Sequence, residues 1–201
     1  QARCYSALDW YYDAEESLSA AERDTLNKAL GILRDATKAD LLLQQGKFAD
    51  ALPYLANAAD AEKNKIKKAR LYFLLGQIYQ KEGRSQEAYK ALGKCIKLSP
   101  PYELSFNAQI MQTEVLSEGQ NASGMIKRLK KMAKSSKNKE YLDQVYFAMG
   151  NIHMAQMDTS AAISAYEKGR KESTRNGIEK GVLVLRLAEL YWNMGRYDKA
   201  Q

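Results

Sequence analysis

One histidine, two cysteines and a few clustered acids are the groups in this 201-residue sequence that could do covalent, acid–base or metal chemistry. A histidine works as a base or a ligand when a carboxylate or a second ligand stands at a fixed short interval. His153 instead sits in an apolar helical stretch, Gly150-Asn-Ile-His-Met-Ala. It takes the place that Tyr79 and Tyr191 hold at matching positions, so it reads as a packed side chain. Cys4 and Cys95 show no metal-ligand spacing. Cys95 falls in a small buried slot that Ala58 and Gly169 occupy elsewhere, while Cys4 lies far from it along the chain. A disulfide needs Cα atoms within about 7 Å, so both thiols read as unpaired. Asp13, Glu15 and Glu16 are neighbours on one predicted helix and read as solvent-facing charge. No phosphate-cradling glycine loop or nucleophile motif accompanies them. The residues point away from catalysis, and no cofactor or metal is implied.

Charge is more informative. The net value of +7 is unevenly spread, with −5 over residues 1–62 and +12 over the remainder. The densest basic cluster is Lys127, Arg128, Lys130, Lys131, Lys134, Lys137 and Lys139. Such a cluster meets an anionic polymer or an acidic protein, or it is the solvated outer face of a helix. Nucleic acid is the poorer partner, because no aromatic residue is interleaved for base stacking. Asn121-Ala-Ser123 also matches a glycosylation acceptor, a triplet common by chance.

The elements that must position these groups are set by a period. Ala14, Ala51, Ala88, Ala162 and Ala200 follow one another at 37, 37, 74 and 38 residues. Tyr72, Leu75, Gly76, Tyr79, Gly83 and Pro100 recur in the same register as Tyr146, Met149, Gly150 and Tyr166, and as Leu187, Ala188, Tyr191, Gly195 and Tyr197. Ser105 to Leu142 fits the register only loosely. A period in this range means stacked helical hairpins, and the slots resemble those of a tetratricopeptide repeat. Small residues (Gly76, Gly150, Ala188) let the two helices of a hairpin approach, and Tyr79, Tyr166 and Tyr191 fill the volume between hairpins. Gly46, Gly83 and Gly195 suit turns of positive φ, and Pro100-Pro101 stops a helix.

With three prolines and no alternating strand-like run, the predicted fold is all-α, and the tetratricopeptide resemblance implies a right-handed superhelix of antiparallel helix pairs. Its approximate units are 1–31, 32–68, 69–105, 106–142, 143–180 and 181–201. The first and last units are incomplete, so the sequence reads as one array cut from a larger protein. No run of about 20 apolar residues capable of spanning a membrane occurs.

Projecting the repeat places Arg70, Phe73, Gln77, Asn107, Ile110, Phe147, Asn151, Leu185 and Trp192 along the face of the first helices. That mixture suits an extended peptide or a partner helix. Tetratricopeptide modules that grip chaperone C-termini clamp a carboxylate with basic residues on this face. Phe73 and Phe147 stand at the matching places here, which argues against that role.

Longer stretches resemble the PorW/SprE family, the tetratricopeptide lipoproteins of type IX secretion and gliding motility. The likeness is carried by Pro100-Pro101-Tyr102-Glu103 with Phe106-Asn107-Ala108, by Lys137 to Gln144, and by Ser173-Thr174 with Asn176. It implies a non-catalytic scaffold in the periplasm, held at the outer membrane by a lipid elsewhere in the parent protein. Its partners would be components of the periplasmic ring or the outer-membrane translocon. The alternative is a generic adaptor or sensor module of a regulatory protein.

Overall fold

Helices make up all the regular structure in the described residues of the computed structural model, which are 1–22, 27–115 and 122–200. Asn121 of the acceptor triplet lies outside them. In chain order the elements are α1 (Ala2–Ala7), α2 (Tyr11–Glu22), α3 (Lys28–Gln44), α4 (Phe48–Ala61), α5 (Lys65–Lys81), α6 (Ser85–Lys97) and α7 (Tyr102–Glu114). Then come α8 (Ala122–Ala133), a 3-10 turn (Ser136–Tyr141), α9 (Leu142–Ala155), α10 (Thr159–Glu172), α11 (Ile178–Asn193) and α12 (Tyr197–Ala200). Two compact units are formed, Gln1–Gln109 and Ile110–Gln201.

In the first unit α3 pairs with α4 and α5 with α6, while α4 packs on α5 and α1 on α2 and α3. In the second, α9 pairs with α10, α8 packs on α9, and α11 contacts α9, α10 and α12. Sequence explains the segmentation. Asn27 accepts a hydrogen bond from Leu30 N at 3.0 Å, Asn64 from Ile66 N and Lys67 N at 3.0 and 3.1 Å, and Asp158 from Ala161 N at 2.9 Å. Each satisfies amide groups that the first helical turn leaves without partners. Helix α4 buries Ala51, Leu52, Leu55, Ala58 and Ala59, one stripe at helical spacing.

The 37-residue period has a direct structural meaning. Ala14, Ala51, Ala88 and Ala162 are all completely buried, on α2, α4, α6 and α10. Ala200, on α12, packs against the core of the second unit. The turns obey the same interval. Gly46, Gly83 and Gly195 have φ of 73°, 71° and 71°, as their slots predicted. The equivalent positions one and two intervals away are Asp9 and Met157, which adopt φ of 60° and 61°. All five turns close with the same bond, in which an amide reaches the carbonyl five residues back. These are Trp10 to Tyr5, Lys47 to Leu42, Arg84 to Tyr79, Asp158 to His153 and Arg196 to Tyr191, at 2.8–2.9 Å. The bond is the signature of a helix that ends in a left-handed residue. Two non-glycine residues accept that conformation because the turn is over-determined by the hairpin on either side.

Close approach of the helices depends on two glycines. A Cβ at Gly76 would stand 2.6 Å from the Leu92 side chain, and one at Gly150 would stand 2.1 Å from the Tyr166 ring. Both partners are completely buried. Gly31 and Gly181, also helical, face open space. Gly150→Ala is expected to cost about 1–3 kcal/mol through overpacking. Gly181→Ala is expected to gain about 0.5–1 kcal/mol from helix propensity. Met157→Gly relieves a left-handed conformation at an open turn and is expected to gain about 0.5 kcal/mol. Urea denaturation of the three variants against the parent chain measures all three signs.

Candidate partner-binding faces

The hairpins present two kinds of surface, one formed by their first helices (α1, α3, α5, α9, α11) and one by their second. In the first unit, α5 carries Arg70, Phe73 and Gln77 on one face, with Arg70 and Gln77 exposed and Phe73 half-buried. Asn107 on α7 is exposed, but Ile110 on the same helix is only 9% exposed and belongs to the core. An apolar feature of this unit lies elsewhere: a trough of about 620 Å³ along α3, with α1 and α5 as its flanks and α4 contributing to its base. Its lining includes Ile32, Leu33, Ala36, Leu43, Leu71 and Leu74. The repeat register contained this trough. Stepping back 37 residues from Arg70, Phe73 and Gln77 gives Leu33, Ala36 and Asp40, and all three line it.

In the second unit, the ring of Phe147 leans on Tyr166 with centroids 5.7 Å apart and planes tilted by 37°. Asn151 Oδ1 accepts a 2.7 Å hydrogen bond from the Tyr166 hydroxyl. Phe147 and Asn151 are therefore brought together as supports of one buried tyrosine. Leu185 and Trp192 on α11 are different, each 63% exposed. They share a cleft of about 310 Å³ with Ala188, Glu189, Asn193 and Ala200. Trp192 is held edge-on to Tyr197 at 4.8 Å. Helices α9 and α11 pack side by side, so this cleft continues the first-helix face of the unit.

Residues of the basic cluster take up separate positions. Helix α8 buries Ala122, Met125, Leu129 and Met132, which leaves Lys127, Lys130 and Lys131 exposed. Arg128 donates to Gln112 Oε1 at 2.9 Å and ties α8 to α7. Lys137 and Lys139 are exposed on the 3-10 turn. Lys130 and Lys134 instead rim a groove against α9 and α10. His153 lies on its floor, mostly buried, with Nδ1 4.0 Å from the Asp158 carboxylate.

The corresponding groove of the first unit is crossed by a polar strut. Tyr72 of α5 donates its hydroxyl to Asp60 of α4, and Lys94 Nζ of α6 stands 3.5 Å from the same carboxylate and 3.4 Å from the Tyr72 oxygen. The Tyr72 hydrogen bond, helped by the Lys94 and Lys68 charges, holds the Asp60 carboxyl below its usual value. Cys95 is completely buried, and burial pushes its thiol up to about 11, which leaves it unreactive. Cys4 is exposed, and both cysteines are free. Among the described residues, no three histidine, cysteine or acidic side chains gather as a metal site, and no helix is long and apolar enough to cross a membrane.

A tetratricopeptide-repeat family model matches residues 69–102, the α5–α6 hairpin, and residues 183–201, covering most of α11 and all of α12. The chain carries tetratricopeptide repeats. None of the curated protein sequences matches it. Among solved structures, it resembles MamA (residue 41 to the end) from Desulfovibrio magneticus RS-1, at 18% identity and a TM-score of 0.57. That match covers 85% of this chain and 89% of MamA. It also resembles the apo quorum sensor NprR from B. thuringiensis, at 14% identity and a TM-score of 0.65, covering 99% of this chain and 60% of the other. A Rap protein complexed with Competence and Sporulation Factor matches at 16% identity and a TM-score of 0.63, over 93% and 55% of the two chains. The chain thus spans little more than half the length of the Rap and NprR chains. At these identities the likeness establishes the fold alone: an all-α array of tetratricopeptide hairpins.

The polar strut gives a pH dependence with a definite sign. A carboxyl whose folded pKa is depressed contributes stability above its unfolded pKa and loses it as pH falls through the folded value. Asp60→Asn is therefore expected to lower stability slightly at neutral pH, by less than about 1 kcal/mol for so exposed a pair. The difference from the parent chain should shrink as pH falls below the usual carboxylate range and Asp60 takes up its proton. Thermal melts of both proteins across that range test it.

Proposed function

We propose that this chain is a non-catalytic module that holds a segment of another protein along the face of its first helices. The observation that carries the reading is the exposure of large apolar side chains there. Leu30 and Leu33 on α3 are 47% and 49% exposed, and Leu185 and Trp192 on α11 are each 63% exposed. Exposed apolar surface next to formed clefts favours a partner that covers it, since each apolar Å² withdrawn from water contributes about 25 cal/mol. The trough along α3 is lined by aliphatic groups with Arg3, Asp40, Glu62 and Lys63 among them. That combination suits a peptide with apolar anchors and polar flanks. The Rap and NprR structures are those of proteins bound to a factor and to a cognate peptide, which makes a peptide-sized occupant a reasonable expectation here.

As to setting, the likeness of Pro100 to Ala108, Lys137 to Gln144 and Ser173 to Asn176 to the PorW/SprE family supports a scaffold of the type IX secretion and gliding machinery. We place it in the periplasm, tethered to the outer membrane through a lipid outside this chain, with ring or translocon components as partners. Affinity capture from the cell envelope tests both levels. The parent chain is expected to recover secretion components, and Leu185→Ser with Trp192→Ala to recover them at least about fivefold less at unchanged melting temperature, because neither side chain is part of the core. Recovery of soluble regulators alone would favour a regulatory sensor module. Equal recovery by the variant would move the interface off α11.

A further inference from the structure

The two tetratricopeptide grooves between consecutive second helices correspond residue by residue at an offset of 74. Ala56 matches Lys130, Asp60 matches Lys134, Tyr72 matches Tyr146, Tyr79 matches His153, and Lys94 matches Lys168. In the first unit, Asp60 extends from one wall and meets Tyr72 and Lys94, so a carboxylate closes the groove to about 210 Å³. In the second unit that acid is gone, and the position is Lys134. The tyrosine and the second lysine keep their roles but turn to an acid on their own side. Tyr146 donates to Glu172 at 2.9 Å, and Lys168 lies 3.7 Å from it.

Three consequences follow. The wall formed by α8 presents Lys130 and Lys134, which have no ion pair among the described residues. The groove opens to about 690 Å³, with Met149 and Ala165 as apolar floor and wall. His153, smaller than the tyrosine it replaces, leaves its buried Nδ1 without a hydrogen-bond partner. Two ammonium groups without an ion pair, Lys130 and Lys134, face the Lys168–Glu172 pair of α10 across a cleft with an apolar base. Anions are drawn to such a place, and charge-assisted hydrogen bonds hold them there.

We propose that the groove between α8 and α10, floored by α9, docks an acidic segment of another protein, whose carboxylates pair with Lys130 and Lys134. The first unit shows that a carboxylate in this groove pairs with a lysine ammonium; here Tyr146 and Lys168 already serve Glu172, and Lys130 and Lys134 are the ammonium groups left to pair. The site lies on second helices, so it stands or falls separately from the first-helix face.

Fluorescence anisotropy with the full chain and a short fluorescein-labelled peptide of alternating aspartate and leucine tests the proposal. The parent chain is expected to bind it, and an asparagine–leucine peptide of equal length to bind at least about tenfold more weakly. Lys130→Glu with Lys134→Glu should weaken binding of the acidic peptide at least about tenfold, and Lys130→Gln with Lys134→Gln serves if the reversal disturbs folding. Lys137→Glu with Lys139→Glu, an equal change of charge on the neighbouring turn, should change it less than about twofold. Lys134→Asp, which restores the strut of the first unit, should abolish binding while leaving the melting temperature unchanged or higher. Absence of binding by the parent chain would overturn the proposal. So would equal losses from the two charge reversals, or preference for oligothymidine over the peptide, which would assign the groove to nucleic acid. Peptide-independent self-association abolished by the Lys130 and Lys134 reversals would overturn it in favour of a second copy.

Discussion

A pair of helices joined by a three-residue turn can bury only one side of each member, and the rest of this molecule follows from how that shortfall is made up. The pair must first close tightly, which requires that one helix carry almost no side chain where the other is bulkiest. Gly76 facing Leu92 and Gly150 facing Tyr166 meet that demand, with space for no additional atom. The next hairpin then covers what remains, as α5 does for α4 and α11 for α10, where Ala51 and Ala162 are completely buried. Each unit depends on both contacts because neither is large enough alone. Stability of such an array is a sum of local terms, so a residue that fails one local requirement weakens its own hairpin first.

Repetition also decides what surfaces are left over. The faces of the first helices need not all be covered by neighbouring hairpins, and their exposed leucines and tryptophan concentrate where clefts have formed. The faces of the second helices carry the charge. There the two units solve one geometric problem differently, with a carboxylate across the groove in the first and lysines along it in the second. Asp60 against Lys134 and Tyr79 against His153 are among the differences between the smaller groove and the larger one.

The period, the helix class and the turn glycines were legible in the sequence because each is a local demand that few residue types satisfy. Asp9 and Met157 were not legible as left-handed turn residues, since neither side chain advertises that conformation and the hairpin imposes it. Ser105 to Leu142 fits the register loosely, and the boundary between the two compact units falls within α7 in that same stretch. Exposure along the first helices was legible in part. Projection found Leu185 and Trp192, which share a cleft, but it also chose Ile110, Phe147 and Asn151. Whether a residue on the projected face is free depends on its neighbour: Phe147 and Asn151 are engaged by Tyr166, a residue 15 or more positions later. Carrying the projection one interval earlier reaches the α3 trough, because Leu33 and Ala36 are the copies in which the facing side chains are aliphatic.

Substitution within a repeat is therefore where function departs from fold. At most slots the residue is chosen by packing, and its copies agree: alanine, glycine, tyrosine. Where copies disagree in charge while the surrounding geometry is kept, packing gives no reason for the change. Lys134 in place of Asp60 removes a bridge that holds two helices together in the other unit, and His153 in place of Tyr79 gives up ring volume and leaves a buried nitrogen without a partner. Both changes cost the isolated hairpin cohesion and enlarge the space beside it. An array assembled from small local stabilities tolerates such losses when the vacated space has an occupant. The pair of substitutions, one electrostatic and one steric, opens the same groove from two sides.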